Sequence, residues 1–140
     1  MGFAHTIPQT NIYTHGTLVT AMHGHLAFWG AYAMIVFAII SYALPNMTGR
    51  KFYDTSRGRM AFWISNIGMI GMTVAFGVAG VAQVYMERKL GLNFMEVQKD
   101  IEVHFWVLII MATMFMTGIT LYIIEFIKHG QPTDEALIQD

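Results

Sequence analysis

Three stretches of this chain stay nearly free of charge for longer than a bilayer is thick, which restricts the fold before any motif is considered. From Leu18 to Leu44 there is no Lys, Arg, Asp or Glu, and the same holds from Met60 to Met86. From Ile101 to Ile127 the carboxylates are Glu102, with His104 beside it at the mouth, and Glu125 near the exit. About 20 apolar residues in a helix cross the ~30 Å of hydrocarbon. Inside lipid a chain must satisfy its own backbone groups, which selects the helix for such runs. The expected fold is therefore an all-α membrane protein with three transmembrane helices, at residues 18–44, 60–86 and 101–127.

Composition supports this and removes other classes. Hydrophobic residues make up 55 % and charged residues 12 % of the chain, a membrane balance. The absence of cysteine excludes disulfides, thiolate ligands and iron–sulfur clusters. A formal net charge of −1 offers no electrostatic footing for nucleic acid. No signal peptide is expected, because no basic region precedes the first apolar run and that run is too long for one.

Between the spans the residue types change. Residues 1–17 are mixed, with Pro8, Thr10-Asn11, His5 and His15 interrupting them, and are expected to form a loop feeding the first helix. Pro45-Asn46 and then Gly49 are expected to stop that helix. The connection 45–59 holds Arg50, Lys51, Arg57 and Arg59 against Asp54 alone, whereas in 87–100 Arg88, Lys89 and Lys99 are matched by acids. Leu90, Leu92, Phe94 and Met95 of that second connection suit a membrane interface. The positive-inside rule then puts 45–59 in the cytoplasm, the N-terminus and 87–100 outside, and the tail 128–140 inside.

Chemistry concentrates at Met22-His23-Gly24-His25-Leu26, at the head of the first span. Two residues along an α-helix are about 200° apart around its axis, so His23 and His25 point to opposite faces and do not readily close on one metal ion. A zinc helix does the reverse, placing its histidines four apart on one face. Two faces suit two cofactors, one on each side. The bland alternative makes the pair polar filler at a helix entrance or the lining of an aqueous cavity; ionisable groups within membrane spans lean towards function. At ~1.5 Å per residue both lie roughly 10 Å below the start of the span, in its outer half. His15, eight residues before His23, lies ~12 Å further up the axis if the helix begins that early. It would then meet an acidic edge of anything His23 holds.

The remaining signals read more plainly. Gly71, Ala75 and Ala79, with Gly68, Gly77 and Gly80 around them, permit close approach of a second helix, or of a cofactor face. The twelve methionines suit adaptable packing rather than a copper site. Trp63, Tyr85 and Trp106 sit where an interfacial belt would place them, while Trp29 and Tyr32 lie deeper and can pack on a ring. His104 meets water at a span end, and His5 and His129 look like ordinary surface histidines.

In Tyr13-Thr14-His15-Gly16-Thr17 and Ala21-Met22-His23-Gly24-His25-Leu26-Ala27-Phe28 the sequence resembles the tenth transmembrane helix of the haem-copper oxidase superfamily. The wording is most similar to the large catalytic subunit of the bacterial cytochrome c-dependent nitric oxide reductases. The likeness covers nearly the whole chain, as the last three helices of a twelve-helix subunit I-like bundle. It implies that His23 is the proximal ligand of a high-spin haem b and His25 an axial ligand of a low-spin haem b. It implies that His15 stands near the high-spin haem's propionates. It also implies a bacterial inner-membrane location, a role in denitrification, and electrons received from a membrane-anchored cytochrome c subunit. Two nitric oxide molecules, two electrons and two protons would give nitrous oxide and water.

The chain departs from that family in length. The histidines that hold the family's non-haem iron, the glutamates near it and the second axial histidine of the low-spin haem have no match among these 140 residues. Glu87, Glu96, Glu102 and Glu125 sit in loops or at span ends and do not take those roles. The resemblance therefore implies a fragment that works only with the remaining helices of the catalytic subunit and is inactive alone. The alternative is a small self-standing membrane haem protein that carries electrons, or a helical membrane protein without catalysis. In the carrier version the second axial ligand for His25 would have to be His104 or a copy of His25 itself.

Overall fold

The structure, a computed structural model, describes residues 2–48 and 56–129. Gly49, Arg50, Lys51 and Asp54, assigned above to the helix stop and basic connection, lie outside the described residues, as does the tail 130–140. The described chain runs through α1 (Gly2–Thr6), α2 (Pro8–Thr14), α3 (Leu18–Ala27), a π-helical turn (Phe28–Ala33) and α4 (Met34–Thr48). It continues with α5 (Ser56–Val84), a second π-helical turn (Tyr85–Lys89), α6 (Phe94–Asp100) and α7 (Glu102–His129). Three stretches, Leu18–Ala43, Ser56–Lys89 and Glu102–Lys128, are long and apolar enough to cross a membrane. The fold is thus all-α with three candidate spans, as the charge-free runs predict.

Local chemistry explains where the elements differ from expectation. The N-terminal segment is two short helices rather than a loop. Pro8 sits in the first turn of α2, where its missing N–H is not needed. Gly16, at φ +72°, ends that helix in the left-handed conformation that glycine adopts without strain. Pro45 does not stop α4, which continues to Thr48. The side-chain amide of Asn46 donates to the Tyr42 carbonyl at 2.9 Å, an added bond beside the one that proline removes. The connection after α5 contains α6, whose N-terminus is capped by Asn93 Oδ1 accepting from the Glu96 N–H at 3.0 Å. Val97 and Ile101 are buried there, while Leu90, Leu92, Phe94 and Met95 remain exposed.

The middle helix is α5, which packs along α7 on one side and α3 on the other. Its small residues set those distances. A Cβ added at Gly68 would lie 2.8 Å from the Phe115 Cα, and one at Gly80 would lie 2.8 Å from the Leu18 carbonyl carbon. On α7, a Cβ at Gly118 would fall 2.8 Å from the Ser65 Cα. Ala61, Ala75 and Ala79 are buried along α5. Of the two roles open to this glycine and alanine pattern, helix packing is the one realised at these positions. Gly71 and Gly77 instead receive the sulfur ends of Met111 and Met22, the flexible filling expected of methionine.

Polar ties fix the end of the bundle that holds the histidines. The Leu18 N–H, one of the orphan donors of α3, donates to Gln83 Oε1 at 2.9 Å, and Gln83 Nε2 donates to Glu87 Oε1 at 2.9 Å. Thr17 and Thr20 both donate their hydroxyls to the Thr14 carbonyl, at 2.7 and 2.8 Å, and join α2 to the head of α3.

The backbone contact at Gly118 makes a sharp prediction. Gly118→Leu forces α5 and α7 apart and destabilises the bundle by about 1–3 kcal/mol, read as a lowered thermal midpoint in detergent, whereas Gly30→Ala, where an added Cβ meets nothing within 4 Å, leaves the midpoint nearly unchanged.

Candidate functional site

His23 and His25 leave α3 into different surroundings. The half-buried ring of His23 is stacked on His5 of α1, with centroids 5.2 Å apart and planes inclined by 29°. The exposed ring of His25 lies against Phe76 of α5 at 4.9 Å. Spacing predicts opposite faces, and the two imidazoles meet separate elements of the fold.

His25 is oriented by its own helix. Its Nδ1 is 2.9 Å from the Ala21 carbonyl, and a carbonyl oxygen only accepts, so Nδ1 carries the proton and donates. That leaves Nε2 with a lone pair. Histidines that bind metals commonly fix their free nitrogen in this way, donating the other N–H to a backbone carbonyl. His25 also lines an open groove of about 670 Å³ with Gly24, Phe28, Met69 and Phe115. That volume lies within the range of cofactor sites, and its apolar walls suit a large planar ring. A Cβ added at Gly24 would meet no atom within 4 Å, so the glycine leaves the groove floor open.

The contacts at His25 therefore fit an axial haem ligand: one anchored imidazole, one free nitrogen and an apolar groove. At His23 the Cε1–Nε2 edge faces Gly2, where an added Cβ would sit 3.4 Å from both atoms. Gly2 thus packs against that edge, so α1 covers His23 both there and, through His5, on its ring face. Among the described residues no group of three or more His, Cys, Asp or Glu is placed to hold a metal ion. The described residues thus offer single imidazoles rather than a ligand cluster.

His15 does not continue the line of His23. It is the C-cap of α2, its N–H donating to the Asn11 carbonyl, and Gly16 then turns the chain before α3 begins at Leu18. The 12 Å axial rise assumed a helix starting earlier, so that distance does not apply. His15 is exposed. His104 at the head of α7 is hydrogen-bonded through Nδ1 to the Ile101 carbonyl at 3.3 Å.

Below the histidines the first span changes register. In the π-helical turn Phe28–Ala33 the backbone takes in an extra residue, and such turns are frequent at functional sites. Trp29 is directed into the core, 4.9 Å edge-on to Phe115 and 5.5 Å from Phe37, and its indole N–H donates to Asn66 Oδ1 at 3.1 Å. Tyr32 stays exposed. Trp29 and Phe37 line both the His25 groove and a second cavity of about 330 Å³ whose polar groups include Ser41, Asn66 and Tyr122. They form the wall between the two spaces.

Two features escape a reading of residue types. His5 reads as a surface histidine, yet it packs on His23. Glu125, only 2 % exposed, pairs with Arg57 Nε at 3.6 Å and ties α7 to the start of α5. Its single-residue context in a span gives no indication of the partner, which is 68 residues away in sequence.

Comparison with known proteins gives the chain its relatives. The family model described as Cytochrome C and Quinol oxidase polypeptide I matches residues 1–131. A nitric oxide reductase subunit of Stutzerimonas stutzeri is 38 % identical over 138 residues, covering 93 % of this chain and 29 % of that protein. The chain therefore spans less than a third of the length of this curated relative.

The Trp29 wall can be tested directly. Asn66→Leu leaves the buried indole N–H without its acceptor and costs about 1–3 kcal/mol, measured as a lower thermal midpoint; an unchanged midpoint would mean that the bond to Asn66 does not hold Trp29 in place.

Proposed function

We propose, from the premise that this chain belongs to the Cytochrome C and Quinol oxidase polypeptide I family, that it is the haem-ligating part of a respiratory nitric oxide reductase. In this reading it supplies the last three helices of a twelve-helix catalytic subunit in a bacterial inner membrane, its N-terminus periplasmic and its C-terminus cytoplasmic. The spans are those at residues 18–44, 60–86 and 101–127. The greater density of basic residues in 45–59 supports that orientation. The identity to the Stutzerimonas stutzeri nitric oxide reductase supports the choice within the family.

The observation that carries the proposal is the pair of imidazoles two residues apart, each facing a different surrounding, with the Nε2 of His25 left free by the Ala21 bond. His23 would hold a high-spin haem b and His25 a low-spin haem b, and His15 would stand by the propionates of the former. A six-coordinate haem passes electrons and a five-coordinate one keeps an open position for substrate. The reaction joins two nitric oxide molecules, with two electrons and two protons, to nitrous oxide and water.

The part of this chain in that reaction is to bind and to orient. Ala21 sets the tautomer and plane of His25, and Phe76 supports the ring from α5. Phe28, Met69 and Phe115 give the open groove beside His25 apolar walls against which a planar ring could lie. The second axial ligand of the low-spin haem, the non-haem iron with its ligands, and the membrane-anchored cytochrome c that delivers electrons would come from the remaining helices and the partner subunit.

In the complete protein, His23→Ala should remove the high-spin haem signal and abolish turnover while leaving the low-spin bands of the reduced-minus-oxidised spectrum largely intact. His25→Ala should do the reverse to the spectrum and also stop electron delivery. Either substitution leaving both haems and activity unchanged would show that the residue is not a ligand. For His15→Ala the expected outcome is milder, because a hydrogen bond to an ionised group contributes about 1.5–3 kcal/mol. Its signature is a shifted potential of the high-spin haem, and an unaltered redox titration would remove His15 from the propionate role.

A further inference from the structure

Past the π-helical turn the first span parts from the bundle. The α3 helix lies along α5, the backbones meeting at Gly80, whereas among the described residues α4 packs closely along neither α5 nor α7. Side chains bridge the gap instead, Phe37 of α4 meeting Tyr122 of α7 edge-on at 4.5 Å. What remains between α4 and α5 is the cavity of about 330 Å³, with Ile119 and Tyr122 of α7 along one wall.

The chemistry of this cavity changes along its length. Trp29 closes the inner end, and Asn66 beside it is taken up by the fold: Oδ1 accepts from the Trp29 indole at 3.1 Å and Nδ2 donates to the Phe62 carbonyl at 2.8 Å. Met34, Phe37, Phe62 and Ile119 make the walls apolar. At the other end, where α5 leaves the connection 45–59, stands the exposed Arg59. Arg57 is taken by Glu125, but among the described residues no carboxylate lies within ion-pair distance of Arg59. Trp63, one turn further along α5, lines the cavity while 62 % exposed, and tryptophan suits the level of lipid headgroups.

The dimensions match one leaflet. From Arg59 to Asn66 α5 rises about 10 Å, and from Ser41 to Trp29 the first span rises about 18 Å. These bracket the ~15 Å depth of half the hydrocarbon layer. The volume is at the lower end for a ligand site, which favours a single chain over a large ring system.

We propose that this cleft holds one acyl chain of an anionic phospholipid, with the lipid phosphate on the Arg59 guanidinium. A slot that is apolar in its depth and cationic at its mouth is complementary to an amphiphile charged at one end. Guanidinium matches phosphate in charge and in geometry, and Arg50 and Lys51 of the same connection add to the attraction for an anionic surface. The chain does for α4 what backbone packing does for α3, filling the space between spans where lipid gives no other reason to close it. Trp29 and Phe37 separate the cleft from the His25 groove, so the site stands independently of any haem.

The test places the complete protein in nanodiscs, which offer the same lipid on both faces and so make the result independent of orientation. The probe is phosphatidylglycerol with a diazirine near the end of one chain, against phosphatidylcholine carrying the same tail, with crosslinks mapped by mass spectrometry. Label should fall on Phe37, Phe62 or Ile119, more strongly with phosphatidylglycerol. Arg59→Gln should lower the phosphatidylglycerol label about fivefold relative to phosphatidylcholine, the contribution of one basic residue at an anionic surface. Ala38→Trp, which fills the cleft, should remove the label from both lipids, and Arg59→Gln decides the matter if that variant fails to assemble. No label on the lining residues, as when a neighbouring helix or a quinone occupies the cleft, would overturn the proposal. Equal labelling by the two lipids that ignores Arg59→Gln would overturn it as well.

Discussion

Where Gly68 meets the backbone at Phe115, and Gly80 meets that at Leu18 and Val19, the three long helices approach without side chains between them. Lipid gives no hydrophobic gain for helix association, so close packing has to supply it. The α5 helix does this on two sides, and the position of α3 against it decides everything at the histidine end. With α3 set by Gly80 and by the bond from Leu18 N–H to Gln83, His25 falls beside Phe76 and above the apolar groove. The same placement leaves His23 on the side where α1 and α2 fold over.

Polar groups within the spans are few, and several have a structural reason. Gln83 caps α3 and reaches Glu87. Asn66 holds the Trp29 indole, while Ser65 and Thr73 return their hydroxyls to carbonyls of their own helix. Glu125 meets Arg57 at the opposite end of the bundle. His25 uses one nitrogen in the same manner and keeps the other free beside an open space. That difference separates a group that serves the fold from one available to a ligand.

Much of this was legible in the residues, and the parts that were not have common causes. Charge-free runs and the 200° separation of His23 and His25 follow from composition and helical period, which need no knowledge of neighbours. The π-helical turn at Phe28–Ala33 was not legible: it inserts one residue into the register, and residue type does not announce it. Trp29 turns into the protein and Tyr32 stays exposed, whereas their depth in the span left both able to pack on a ring. Pro45 misled because an apolar run and a side-chain amide carry α4 past it. His5 was invisible for another reason, since its partners Thr14 and His23 belong to different helices and only the turn at Gly16 brings them together.

That His23 and His25 serve two separate irons on two sides of α3 is the central claim. An electron cryomicroscopy map of the complete, haem-loaded protein tests it most directly. It should show two porphyrin planes flanking α3, one iron within bonding distance of His23 Nε2 and the other of His25 Nε2. A map with a single haem, or with both irons ligated away from residues 23 and 25, would contradict it.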